Sequence, residues 1–279
     1  MTISKLRAAA LAASFFVCAP AIAQEAAPAD DGSDNFTIGL GAGYAPSYEG
    51  SDDYQLTGAG LVRGRVSGFN FYSRATSLYL DLAREAPDAP VNFEVGPMIN
   101  LRLDRTGRIE DKRVKALGKI DTAVEAGGFI GFTKNGVLHG YDFLTLRLDV
   151  THDVTDTHDS MIVTPTLEYA TPLSSTFLVG ASLSAEHVGG GFADTYYSIT
   201  PAGAAVSGLP AYDADGGFKN WRGTLLLTQS LSGDLRRGWA LFAVGSYSRL
   251  LGDFKRSPIV SIAGDADQYF AALGLSYTF

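Results

Sequence analysis

His152-Asp153 and His158-Asp159, with Asp156 between them, gather imidazoles and carboxylates into one short stretch. Imidazole nitrogen and carboxylate oxygen are ordinary ligands for divalent ions, and a His–Asp pair can also serve as the acid/base couple of a protease. A brief polar loop needs the same residues only to stay solvated, and that plainer reading is adopted. No Gly-x-Ser-x-Gly elbow of a serine hydrolase occurs, and His139 and His187 stand beside no evident nucleophile. The expectation is no catalytic residue, no metal ligand and no cofactor.

A second set of ionisable residues is more regular. Glu94, Arg102, Glu125, Arg147, Asp149, Glu168, Glu186 and Arg222 each fall on the polar side of a segment that alternates with apolar residues. Rings of charge set selectivity in an ion channel, whereas paired charges fill a lumen. Small barrels are packed by side chains and only wide ones hold open channels. Filling and salt bridges are therefore expected to dominate.

The elements that must carry these charges are strands. Near the chain's end Tyr269, Ala271, Leu273, Leu275, Tyr277 and Phe279 share one face, while Ala272, Gly274, Ser276 and Thr278 share the other. Side chains alternate across a strand, so this pattern suits a wall with lipid on one side and a polar lumen on the other. The same alternation runs through residues 91–103, 144–150, 161–169 and 179–186. Lys134-Asn135-Gly136-Val137 and Pro172-Leu173-Ser174-Ser175 read as tight turns, interleaved with long loops at 105–118, 188–218 and 251–265. Outer-membrane barrels likewise alternate short periplasmic turns with long external loops.

Counting back from Phe279 places strands near 266–279, 238–250, 219–230, 175–187, 159–170, 138–151, 120–133 and 90–103. Both termini on one side require an even number. Residues 36–84 then supply four more, including a hairpin of 69–74 and 77–83. The predicted fold is an all-β, transmembrane, antiparallel up-and-down β-barrel of twelve strands over residues 36–279, with ten strands as the fallback. Glycines 189–191 with Tyr196, Tyr197 and Tyr212 make the 188–218 loop too apolar for a solvated tail. It is expected to fold over or into the barrel mouth.

Lys5 and Arg7 precede an apolar run over 8–19 and the small-x-small triplet Ala21-Ile22-Ala23. This reads as a signal peptide, residues 1–23, cleaved after Ala23; the run is shorter than the roughly 20 residues of a spanning helix. Cys18 is not preceded by the small residue of a lipobox, because Val17 stands there. Processing leaves no cysteine, which excludes disulfides and Cys-based metal sites, and takes the net charge from −8 to −10. That acidity argues against a nucleic-acid partner. Residues 24–35, small, acidic and proline-containing, read as a disordered periplasmic leader. The alternation of Tyr269, Leu273, Leu275, Tyr277 and Phe279 ends on the last residue and reads as a signal for the barrel-assembly machinery.

Local motifs spread along the chain resemble one family. They include Gly39-Leu40-Gly41-Ala42-Gly43-Tyr44-Ala45-Pro46, Tyr48-Glu49-Gly50-Ser51-Asp52-Asp53-Tyr54 and Asp194-Thr195-Tyr196-Tyr197. Ser207-Gly208-Leu209-Pro210-Ala211-Tyr212, Ser248-Arg249-Leu250-Leu251-Gly252-Asp253, Ser257-Pro258-Ile259 and Tyr277-Thr278-Phe279 follow in order. The set is similar to the MipA/OmpV family of outer-membrane proteins. The resemblance implies an outer-membrane address with lipid as surroundings. One described role in that family is a scaffold joining a lytic transglycosylase to a penicillin-binding synthase in peptidoglycan biosynthesis; others are porin-like, osmotically regulated or adhesive. A structural or scaffold protein is ranked first, a porin-like channel for small solutes second and an enzyme third.

Overall fold

The computed structural model describes residues 34–84 and 89–279. The Ala21 and Ala23 cleavage site and the 24–33 part of the leader lie outside the described residues. Twelve strands follow one another: β1 (Asn35–Pro46), β2 (Tyr54–Val66), β3 (Phe69–Arg74), β4 (Ser77–Asp81), β5 (Val91–Arg102), β6 (Ala123–Asn135), β7 (Phe143–Asp153), β8 (Met161–Pro172), β9 (Phe177–Val188), β10 (Gly217–Ser230), β11 (Gly238–Leu250) and β12 (Asp267–Thr278). Each pairs antiparallel with its sequence neighbours, and β12 returns to β1, closing the barrel. At the closure the Thr37 and Thr278 hydroxyls meet at 2.8 Å.

Strand faces follow the alternation. On β12 Tyr269, Leu273 and Leu275 are exposed, whereas Phe270, Ala272 and Ser276 are buried inside. Exposed apolar residues continue around the outside on Leu40, Leu56, Phe93, Ile130, Leu146, Leu167, Leu183 and Leu225. Aromatic residues gather at both rims: Phe36, Phe71, Trp239, Tyr277 and Phe279 at the end carrying the termini, and Tyr44, Tyr54, Trp221, Tyr247 and Tyr269 at the other. An apolar band between two aromatic girdles is the outer surface of a membrane barrel. No helix among the described residues is long and apolar enough to cross a membrane.

The expected strand over 138–151 begins later, at Phe143, and the expected tight turn at Lys134–Val137 is longer. Asp142 explains the difference. Its carboxylate accepts the Val137, Leu138 and His139 amides at 2.7, 2.8 and 3.1 Å, and its carbonyl accepts the Gly136 amide at 2.8 Å. Leu138 is in phase with the alternating Leu144, Leu146 and Leu148, but Asp142 collects the amides that a strand would give to its neighbour. Burial works to raise the Asp142 pKa, yet hydrogen bonds from Tyr169 and these amides hold it below the usual carboxylate range.

The barrel end opposite the termini carries the long loops and five short helices: α1 (Lys112–Ala116), α2 (Gly190–Tyr197), α3 (Pro201–Ser207), α4 (Gly252–Arg256) and α5 (Pro258–Ser261). They pack into a cap with its own apolar core. One cluster joins Phe192, Ala193, Tyr196, Tyr197, Phe254 and Val260 to Ile162, Val188 and Leu250 on the strands. A second joins Tyr48, Ile109, Val114, Ile199, Leu209 and Ile259.

Candidate functional site

The cap is pinned over the lumen by sequence-specific local structure. Thr200 accepts the Gly203 amide at 3.1 Å and Pro201 opens the first turn of α3, which ends at Gly208 with φ +73°. These are ordinary start and stop signals for a short helix. In α2, Phe192, Ala193, Tyr196 and Tyr197 fall on one face and are almost completely buried. Gly191 lies so close to the His158 carbonyl that a Cβ would not fit. Ser160 Oγ accepts the Phe192 amide at 2.9 Å, and Ser257 Oγ donates to the Tyr197 carbonyl at 2.6 Å. Tyr48 OH donates to the Ala263 carbonyl at 2.6 Å, tying the β1–β2 loop to the end of α5. Burial and nearby Asp111 push the Tyr48 phenol up, and burial does the same to Tyr196, so both stay neutral.

Phe192 roofs a chain of charges. Arg102 donates through Nε to Glu125 at 2.6 Å and through Nη2 to Glu186 at 2.9 Å. Glu186 also meets Lys219 Nζ at 3.0 Å, and Lys219 reaches Glu49 at 2.7 Å. Asn100 donates to Glu125 at 2.8 Å, and the buried His158 ring lies 3.3 Å from the same carboxylate. Arg102 and Lys219 each stand 4.9 Å from the Phe192 ring centroid, a cation–π arrangement strengthened by exclusion of water. Arg222 shares the inward face of β10, opposite Ser184 and Ser248.

A second group lies deeper. Arg74 meets Glu168 at 2.8 Å, and Arg147 meets Asp149 at 2.9 Å, where Tyr79 OH also donates at 2.9 Å. Glu94 accepts from Thr133 at 2.9 Å and from Tyr72 at 3.3 Å. Tyr72 and Tyr79 stack at 4.9 Å and lie edge-on to Phe129. The opposite half of the lumen is apolar: Leu178, Leu226, Phe242, Val244, Phe270 and Ala272 pack together, with Leu235 from the β10–β11 turn beneath them. Deep in the barrel the interior thus has a charged side on β2–β8 and an apolar side on β9–β12 and β1.

The histidine cluster is divided. His152 is exposed and 3.8 Å from an exposed Asp159, whereas His158 turns inward to Glu125. Asp153 holds the loop between them by accepting the Thr155, His158 and Asp159 amides at 2.9, 2.7 and 3.2 Å. Among the described residues no group of three or more His, Cys, Asp or Glu side chains is placed to hold a metal ion.

Tyr269, Leu273 and Leu275 line the outer face of β12, and Tyr277 and Phe279 stand at the rim beside the termini, 4.8 Å apart by ring centroid. Lys219 escaped sequence reasoning because the register slips between Phe218 and Asn220, turning a residue of the expected lipid face inward. Glu49 sits in a loop and Arg74 on a short hairpin, where alternation is too brief to assign a face.

Several solved structures are weakly similar at low identity. An outer membrane channel from Pseudomonas putida F1 is 10% identical, with 97% of this chain and 100% of that chain covered and a TM-score of 0.48. The Pseudomonas putida toluene transporter TodX is 10% identical over 90% of each chain, with a TM-score of 0.39. An anion-selective porin from Comamonas acidovorans is 9% identical over 88% and 99% of the two chains, with a TM-score of 0.40. No curated protein matches the sequence. The family profile described as "MltA-interacting protein MipA" matches residues 38–279, nearly the whole described barrel. A lipid-facing barrel and that match agree on the address, and the chain is an outer-membrane protein belonging to the MipA family.

Proposed function

We propose that the protein is a non-enzymatic outer-membrane scaffold whose periplasmic end docks a lytic transglycosylase, and through it a penicillin-binding synthase, in peptidoglycan biosynthesis. The family description names an MltA-interacting protein. The observation that carries the reading is the turn between β6 and β7. Asp142 fixes its backbone while Leu138 and Tyr141 stand 72% and 75% exposed. A rigid turn bearing two exposed apolar side chains loses little entropy on docking, which favours a partner surface. The turns around Arg84 and at Arg236-Arg237 stand at the same end of the barrel. Affinity capture from crosslinked envelopes tests the reading. The natural chain should recover a transglycosylase and a Leu138→Asp, Tyr141→Asp variant should not; recovery of neither enzyme by the natural chain would defeat it.

A channel for small solutes is the second reading, favoured by the inward-facing Arg102, Glu125, Glu186 and Lys219. It requires the cap to move, since Phe192 covers these groups. Solute flux through the purified barrel in liposomes distinguishes it from the scaffold.

A further inference from the structure

The long loops of the cap are not alike in charge. Those at 47–53, 154–160 and 189–216 contain no lysine or arginine, and they expose Asp52, Asp156, Asp159, Asp213 and Asp215. The 251–266 loop sets Lys255 and Arg256 against Asp253 and Asp265. The β5–β6 loop is the exception: between 105 and 119 it carries Arg105, Arg108, Lys112, Arg113, Lys115 and Lys119 against Glu110 and Asp111, with Asp121 following.

This basic stretch is folded rather than slack. Arg105 is buried and donates to the Tyr196 and Gly118 carbonyls at 3.4 and 3.3 Å, and its own carbonyl accepts the Ile120 amide at 3.2 Å, closing the base. Asp111 accepts the Arg113 and Val114 amides at 2.7 and 3.1 Å and so starts α1. Ile109 and Val114 then enter the cap core beside Ile199 and Leu209. With these turned in, Arg108, Lys112, Lys115 and Lys119 are turned out to solvent. Arg108 and Arg113 pair with Glu110 and Asp111 at 2.6 and 2.7 Å. Among the described residues no acidic side chain pairs with Lys112, Lys115 or Lys119. Lysines displayed on a preorganised backbone lose little entropy when they meet an anion, and the cap does not consume their charge.

The loop leaves the lipid-facing wall at Leu101, opposite Val124 on β6. It therefore stands just outside the outer leaflet, where headgroup phosphates share the barrel's membrane plane and so have a high effective concentration. Basic residues beside an anionic headgroup layer are drawn to it, and lysine binds phosphate as a point charge. We propose that residues 108–119 are a docking surface for a phosphorylated glycolipid of the outer leaflet, with Lys112, Lys115 and Lys119 meeting its phosphates. The aspartates of the neighbouring loops repel the same groups, so the lipid is held on the β5–β6 side of the barrel.

Diphosphoryl lipid A, counted on the purified full barrel by native mass spectrometry, is the probe. It should bind the natural chain saturably and at least about tenfold more tightly than its dephosphorylated form. Lys112→Gln, Lys115→Gln and Lys119→Gln together should remove that preference. Lys134→Gln, Arg236→Gln and Arg237→Gln, which remove the same charge at the periplasmic end, should keep it. A loop variant that binds like the natural chain, equal binding of the two lipid forms, or tighter binding of a soluble heparin fragment than of the lipid would overturn the proposal. The natural chain keeps the test decisive if the loop variant does not fold. Its preference for the phosphorylated form should collapse in about 1 M ammonium acetate, where charges are screened within about 3 Å; a preference that survives refutes the lysine contact.

Discussion

Lys219 Nζ lies 2.7 Å from Glu49 Oε2, tying the bulged start of β10 to the loop between the first two strands. Lys219 is completely buried and also meets Glu186 at 3.0 Å. Removing one partner from a buried pair leaves an uncompensated charge, at a cost of about 3–5 kcal/mol. Lys219→Met should therefore lower the thermal midpoint of the cap, followed by near-ultraviolet circular dichroism. Adding Glu49→Gln should restore part of the loss; a double variant no more stable than the single one would mean the two residues do not act as a pair.

The cap rests on aromatic burial. Residues 193–215 contain most of α2, all of α3 and the Ile199–Tyr212 bridge that holds them. Deleting this stretch removes the support of Phe192 over Arg102 and Lys219, so single-channel conductance should appear or rise. Unchanged current would sink the plug role of the loop. Phe192→Ala is a milder version, expected to cost about 3–5 kcal/mol of cap stability.

What could be read in advance followed from period-two alternation in a bilayer. A strand such as β12 must face its Leu273 and Leu275 to lipid, and by the same logic Glu125, Arg147 and Glu168 must point inward; each is buried in the barrel. Alternation fails where the backbone breaks its own period. The bulge before Asn220 moves Lys219 to the inner face, and Asp142 folds Leu138, in phase with Leu144 and Leu146, into a loop. The partners of the luminal charges were not legible either. Arg74 and Glu168 are far apart in sequence, and only barrel closure brings them to 2.8 Å.

Asp104 should make the cap sensitive to pH. Burial, and then the charge of Glu49, raise its pKa from 3.8 to about 6, with Arg105 and Lys219 opposing the shift. A carboxyl with a folded pKa above its unfolded one favours the closed, folded cap most when protonated. Cap stability should therefore fall as pH rises from about 4 through about 6, and level off above that. Tryptic cleavage at Arg108 should accordingly be slower at pH 5 than at pH 7. In Asp104→Asn, which keeps an acceptor for the Glu49 amide, this difference should shrink; a difference of full size would assign the sensitivity to another group.

Phe279 allows an assembly role to be tested apart from a stability role. Its amide donates to the Phe36 carbonyl at 2.9 Å, and its ring lies 6.0 Å from Phe36 and 4.8 Å from Tyr277, yet the residue is 70% exposed. Phe279→Ala keeps the backbone hydrogen bond and removes only an exposed ring, so the folded barrel should lose little stability. If the terminal aromatic is read by the assembly machinery, the amount of heat-modifiable barrel in outer membranes should drop several-fold while the thermal midpoint of the purified fraction stays close to that of the natural chain. Normal abundance with a lowered midpoint would reverse the assignment and make Phe279 a rim-packing residue.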